Sequence, residues 1–142
     1  MTAGLEIRHL GIRPYRPVYD AMCAFTAARH PGCADEIWVL QHEPVYTLGL
    51  GGKLEHVLDP GAIPVVRTDR GGQVTYHGPG QLIIYTLLDL KRRNLTVRTL
   101  VTCLEQAVIN CVARRGIEAR RVAGAPGVYV AGRKLAALGL RL

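Results

Sequence analysis

Residues 70–81 read RGGQVTYHGPGQ and lie between two apolar stretches, Ile63-Pro64-Val65-Val66 and Leu82-Ile83-Ile84-Tyr85. Four glycines, one proline, one arginine and one histidine fall within these twelve positions. An ordinary turn needs one or two special residues. Gly71 and Gly72 free the backbone for positive φ and let another group approach the main chain closely. Gly78-Pro79-Gly80 sets a second sharp bend, and Val74-Thr75-Tyr76 between the bends has strand composition. The expected object is a strand edge flanked by two bare backbone segments, with Arg70 and His77 brought to one wall. An elaborate hairpin is the plainer alternative, but the whole run favours a binding site.

Outward from this run, strand signals dominate. Leu5–Leu10, Glu36–Gln41, Val45–Leu48, Pro64–Thr68, Val74–Tyr76, Leu82–Leu88 and Glu118–Val122 each read as strands. Residues 127–140 read as a hairpin turning at Ala131-Gly132. A first helix is expected from Tyr15 to about Arg29, with Pro17 in its first turn and Pro31-Gly32 as its stop. The clearest helix follows Thr96 as N-cap. Its apolar positions are Val97, Leu100, Val101, Leu104, Val108 and Val112, and Gly116 lies past its end. The pattern predicts an α+β domain, a mixed and largely antiparallel sheet with flanking helices. No linker divides residues 1–142, so one domain is expected. The chain stops within an apolar strand pattern at Arg141-Leu142, so the natural protein is expected to continue, its C-terminal part missing here.

The 142 residues are 49% hydrophobic and 20% charged, which is globular rather than disordered composition. The formal charge is +7. Most of the clustered arginines are expected to be solvated. A macromolecular partner of that surface would be an acidic protein before RNA, and neither nucleic acid nor membrane is an expected partner. Cys23, Cys33, Cys103 and Cys111 form no CxxC, so a zinc site is not expected. Cys103 and Cys111 are expected on the buried face of the second helix. Free thiols and the absence of a leader pattern point to the cytoplasm. Gly51-Gly52-Lys53 lacks the rest of a phosphate loop.

The run RGGQVTYHGPGQ, the following Leu82–Tyr85, Gln41-His42-Glu43-Pro44-Val45-Tyr46-Thr47-Leu48-Gly49 and Gly132-Arg133-Lys134-Leu135-Ala136-Ala137-Leu138-Gly139 together resemble the lipoyl(octanoyl) transferase family, or lipoate–protein ligase B. The resemblance covers almost the whole chain in the same order. It implies the fold of the biotin and lipoate protein ligases. It implies transfer of octanoyl from octanoyl-acyl carrier protein to a lysine of lipoyl domains, those of 2-oxoacid dehydrogenases and of the glycine cleavage H protein. It also implies a cysteine–lysine pair with no ATP, cofactor or metal. Lys134 matches the catalytic lysine. Arg70, Gly71, Gly72, Gln73, Val74, Thr75, Tyr76 and His77 match one substrate-binding segment, and Ala137, Leu138 and Gly139 match a second. The family's nucleophilic cysteine lies downstream of Leu142, so none is assigned among residues 1–142.

A nearby ammonium would stabilise a thiolate whose ordinary pKa is about 8.5. Backbone N–H groups near Gly71-Gly72 or Gly139 are candidates for binding the oxyanion. Tyr76 and Leu138 would line a slot for the acyl chain. On the residues alone, His77 either holds the Gly78-Pro79-Gly80 bend or acts directly, and Arg70 either anchors its loop or meets the donor's arm. An ATP-dependent lipoate or biotin ligase of the same fold, or a non-catalytic acyl- or carrier-binding module, are the alternatives.

Overall fold

Alternation of apolar and polar residues, punctuated by glycine and proline, produces nine short strands and two helices among the described residues. The computed structural model describes residues 4–142. The chain divides into two units, one running to Leu88 and including Arg141, the other comprising residues 89–140 with Leu142.

In the first unit, β1 (Leu5–Arg13) pairs in parallel with β2 (Asp35–His42), and β2 pairs antiparallel with β6 (Ile83–Leu87). The β1 register shifts between His9 and Gly11, where Gly11 takes φ 70°. A second sheet has β3 (Val45–Leu48) at its centre, parallel to β4 (Val65–Arg67) and antiparallel to β5 (Val74–His77). The strand inside the glycine-rich run is therefore a sheet edge. Helix α1 (Tyr15–Ala27) lays Val18 and Met22 against Trp38, Leu40, Ile83, Tyr85 and Leu87. Burying a side chain such as Leu40 contributes roughly 1.5–3 kcal/mol. Ala28, the helix C-cap, is exposed.

The second unit holds α2 (Val97–Ala113) and an antiparallel sheet in the order β7 (Arg120–Val122), β8 (Ala125–Val130), β9 (Arg133–Ala136). Helix α2 packs on β8. The hairpin between β8 and β9 turns on Ala131 and Gly132, both at positive φ (47° and 77°), as a two-residue type I′ turn requires. The last strand ends at Ala136 rather than continuing to residue 140. Extending the Val128–Ala136 register would set residue 138 opposite Pro126, which has no N–H to donate. The expected α+β class is observed, with its strands grouped into three small sheets, two mixed and one antiparallel.

Thr96 caps α2 reciprocally: its side chain accepts from the Thr99 N–H at 3.1 Å, while Thr99 Oγ1 accepts from the Thr96 N–H at 2.8 Å. Thr96→Ala removes one arm of this box. It should lower stability by about 1 kcal/mol in urea unfolding, and Thr96→Ser should restore most of the loss.

Candidate functional site

In the first unit the glycine-rich run is closed against β3. Gly49 N–H donates to Gln73 O (3.2 Å), Leu50 N–H to Arg70 O (3.0 Å) and Gly51 N–H to Gly72 O (3.1 Å). Two main chains meet here with nothing between them. A Cβ on Gly49 would press into the Gly72 carbonyl and come within 2.8 Å of Arg70 Nη1. Gly72 itself sits at φ 94°. At the other end Gly78-Pro79-Gly80-Gln81 forms a type II turn: Gly80 has φ 92° and Gln81 N–H donates to Gly78 O at 3.2 Å.

Arg70 and His77 converge on one buried hydroxyl, that of Thr47. Arg70 Nη2 donates to Thr47 Oγ1 at 2.7 Å, to Thr47 O at 2.9 Å and to Gln73 O at 3.1 Å, and Nη1 donates to Gly71 O at 2.9 Å. Thr47 Oγ1 is 3.2 Å from His77 Nε2, and His77 Nδ1 is 2.8 Å from Gln81 Oε1. One assignment of hydrogens runs through Thr47, His77 and Gln81. Arg70 donates to Thr47 Oγ1, the Thr47 hydroxyl donates to His77 Nε2, and His77 Nδ1–H donates to Gln81 Oε1. Gln81 Nε2 then donates to Tyr76 O at 3.1 Å. This chain requires a neutral imidazole. Burial holds His77 below the ordinary histidine range; the nearby His42 and Arg70 add to that, while the Gln81 bond opposes it.

Aromatic rings close over the same place. Tyr15 stacks on His77 (6.4 Å between centroids) and meets His42 edge-on (5.2 Å). His42 is fully buried between Arg13 O (2.9 Å from Nδ1) and the Tyr85 hydroxyl (2.8 Å from Nε2). Burial lowers the His42 pKa against the effect of the Arg13 carbonyl, and raises that of Tyr85. On β5, Tyr76 pairs with Tyr46, is 44% exposed and sits against Gly78, so that a Cβ there would overlap its ring.

In the second unit Lys134 lies on β9 opposite Tyr129, with Nζ 5.5 Å from the ring centroid. Its stem runs across Gly127: a Cβ on that glycine would lie 3.3 Å from Lys134 Cε and 2.6 Å from Ala136 O. Gly127 is buried at φ 128°. No carboxylate among the described residues lies within ion-pair distance of the amine. Ala137, Leu138 and Gly139 follow β9 without regular structure, Leu138 half-buried and its neighbours exposed.

The structure thus gathers Arg70, Gly71, Gly72, Gln73 and His77 around Thr47, with Val74, Thr75 and Tyr76 on the edge strand between them. Gln73 also ties the loop to the 3-10 turn at Leu54–His56, through Oε1 at 2.6 Å from His56 Nδ1. Thr47, His42, Tyr15 and Tyr85 were not singled out as site residues by the sequence. One expectation is corrected: Cys103 and Cys111 are exposed in this chain, not buried. With about 3.6 residues per turn, Cys103 projects away from the Leu104–Val108 stripe, and the buried stripe takes in Glu105 instead. Among the described residues no cluster of three or more metal-ligating side chains occurs, and no helix is long and apolar enough to cross a membrane.

Residues 20–142 match the family described as the lipoyl protein ligase A/B catalytic domain, and the chain belongs to that family. Among its relatives are octanoyltransferases. That of Aeromonas hydrophila is 59% identical over 147 residues, covering 97% of this chain and 63% of its own length. That of Klebsiella pneumoniae is 60% identical over 136 residues, covering 96% of this chain and 64% of its own. The chain therefore spans a little under two thirds of these curated relatives. A bi-partite lipoate protein ligase from Thermoplasma acidophilum, solved as part of an archaeal lipoylation system, shares the fold: TM-score 0.66, 17% identity, 92% of this chain and 52% of that one.

The neutral histidines fix a pH response. The unfolded chain takes up protons near pH 6.5, whereas burial lowers the folded pKa of both His77 and His42. Their contribution is complete above pH 6.5 and is lost as pH falls below it. The melting temperature should drop between pH 7 and pH 5, and His77→Gln should flatten that slope in calorimetry. Separately, Thr47→Val leaves the Arg70 and His77 atoms without their shared partner. It should cost about 1–3 kcal/mol in urea unfolding, with Thr47→Ser close to wild type.

Proposed function

We propose that this chain is the lysine-bearing part of an octanoyltransferase. It would take octanoyl from octanoyl-acyl carrier protein and deliver it to a lysine of lipoyl domains, including those of 2-oxoacid dehydrogenases and the glycine cleavage H protein. The observation that carries the reading is the Lys134 ammonium, set on a hairpin over Tyr129 with no acidic side chain among the described residues within ion-pair distance. Such a charge is free to stabilise a thiolate. The nucleophile would be the cysteine that the family resemblance implies downstream of Leu142, and none of Cys23, Cys33, Cys103 and Cys111 is proposed for that role.

In the first step the thiolate attacks the octanoyl thioester carbonyl. A new C–S bond forms, the carrier's thiolate departs and takes up a proton. One thioester replaces another at little free-energy change, so no nucleotide is required. The acceptor amine then attacks the acyl-enzyme, the enzyme thiolate leaves, and the amine's proton is released as the amide forms. Backbone N–H groups at Gly71, Gly72 or Gly139 are the proposed oxyanion donors, one such donor contributing about 3 kcal/mol. Val74, Thr75, Tyr76, Ala137 and Leu138 are the proposed acyl-chain contacts, and a buried methylene contributes about 0.8 kcal/mol. Arg70, with its guanidinium spent on Gly71, Thr47 and Gln73, anchors the loop, as His77 does through Gln81. The free cysteines suit a cytoplasmic setting.

The test uses the full reading-frame product with octanoyl-carrier protein and a lipoyl domain. Mass spectrometry should show one octanoyl group on the enzyme and then on the lipoyl domain, without ATP. A cysteine of ordinary pKa is only a few per cent thiolate at pH 7, so Lys134→Ala should slow acylation roughly 10- to 30-fold there and less above pH 8.5. Transfer that depends on ATP would replace this reading with a ligase. Carrier binding without transfer would replace it with a non-catalytic module.

A further inference from the structure

Glu105 is a buried carboxylate in the middle of α2, 6% exposed. The apolar pattern of the helix gives no reason for it. Its two oxygens have separate duties. Oε1 accepts the buried Gly127 N–H at 2.9 Å, and Oε2 accepts Arg121 Nε at 2.9 Å. Arg121 Nη2 in turn donates to Thr102 O and Gln106 Oε1, both at 2.9 Å. One helix side chain is thus bound to the main chain of β8 and, through Arg121, to β7.

The residue it grips is the one under the lysine. Gly127 lies at φ 128°, in the left-handed half of the map that a side-chain-bearing residue rarely adopts. Its bare α-carbon leaves the track along which the Lys134 stem runs, and the register shifts between Val128 and Tyr129, beside it. A strand with a glycine and a shifted register is locally free to twist. The bond from Glu105 engages the N–H of Gly127, whose α-carbon lies under the Lys134 stem.

We propose that Glu105 is a positioning residue for Lys134: through Gly127 N–H it sets where the ammonium stands over Tyr129. The proposal rests on the reading of Lys134 as the thiolate-stabilising group for its functional meaning, but not for its geometry. Glu105→Gln keeps an acceptor for Gly127 but gives up both the charge and the hydrogen bond toward Arg121, because an amide NH₂ cannot accept from Arg121 Nε–H. Glu105→Leu removes both bonds.

The readout is the lysine itself. Reductive ¹³C-methylation keeps the amine charged and gives each lysine an NMR signal, that of Lys134 being identified by its loss in Lys134→Arg. The Tyr129 ring should displace this signal from those of Lys53 and Lys91. In Glu105→Leu the displacement should collapse, and exchange of the Gly127 amide should accelerate by about tenfold or more, as for loss of a hydrogen bond to a charged group. Glu105→Gln, which keeps the Gly127 bond and loses the Arg121 bond, should change both properties only part of the way. If Glu105→Leu does not fold, Arg121→Gln carries the test, since Arg121 is 38% exposed and its loss should move the Lys134 signal part of the way. A Lys134 signal unmoved in Glu105→Leu despite faster Gly127 exchange, or unmoved in Arg121→Gln when Glu105→Leu does not fold, overturns the proposal. No acyl donor is used. An active Lys134→Ala enzyme would therefore defeat the catalytic reading alone, and an unmoved signal the positioning of Lys134 alone.

Discussion

The hydroxyl of Thr47 accepts from an arginine and donates to a histidine, and the glycine-rich segment takes its shape from that exchange. A hydroxyl has one proton to give. Once it is committed to His77, the imidazole must present a lone pair on Nε2 and its hydrogen on Nδ1. The direction of every later bond follows, to Gln81 and on to the Tyr76 carbonyl. The two bends of the run, twelve residues end to end in sequence, are thereby tied to one atom on β3. Burial of His77, with His42 and Arg70 nearby, keeps the neutral ring the favoured form.

The second unit solves a related problem differently. There a carboxylate on a helix holds one peptide N–H of a strand, and an arginine from the neighbouring strand compensates its charge. In both units the polar group that organises a segment is buried and belongs to another element. Glycines then let main chain or a lysine stem lie directly on the surface so made. Gly49 against Gly72 and Gly127 beneath Lys134 are the two places where this closeness is unavoidable.

The sequence disclosed the strands, both helices, the cap at Thr96 and the turn at Ala131-Gly132, because each carries local chemistry: apolar spacing, a capping hydroxyl, residues tolerant of positive φ. Arg70 and His77 stood out because their surroundings were unusual. Thr47 did not, since a threonine in a strand is ordinary and only its register opposite Thr75 brings it to His77. Glu105 was invisible for a similar reason: a glutamate beside Leu104 reads as the wet side of a helix, and its partner lies 22 residues away. The assignment of Cys103 and Cys111 to the core failed because a stripe of aliphatic residues does not fix its own width. Likewise Arg120 and Arg121 look alike in the sequence, yet only Arg121 meets the buried carboxylate.

Of the eighteen cationic residues in this chain only Lys53, Lys91 and Lys134 are amines; the other fifteen are guanidinium groups. Guanidinium stays protonated under all ordinary conditions and offers no lone pair to an electrophile. A surface made positive in this manner can attract anions without becoming a target for activated carboxyl derivatives, which leaves few sites where a reactive ester in solution would scar the protein itself.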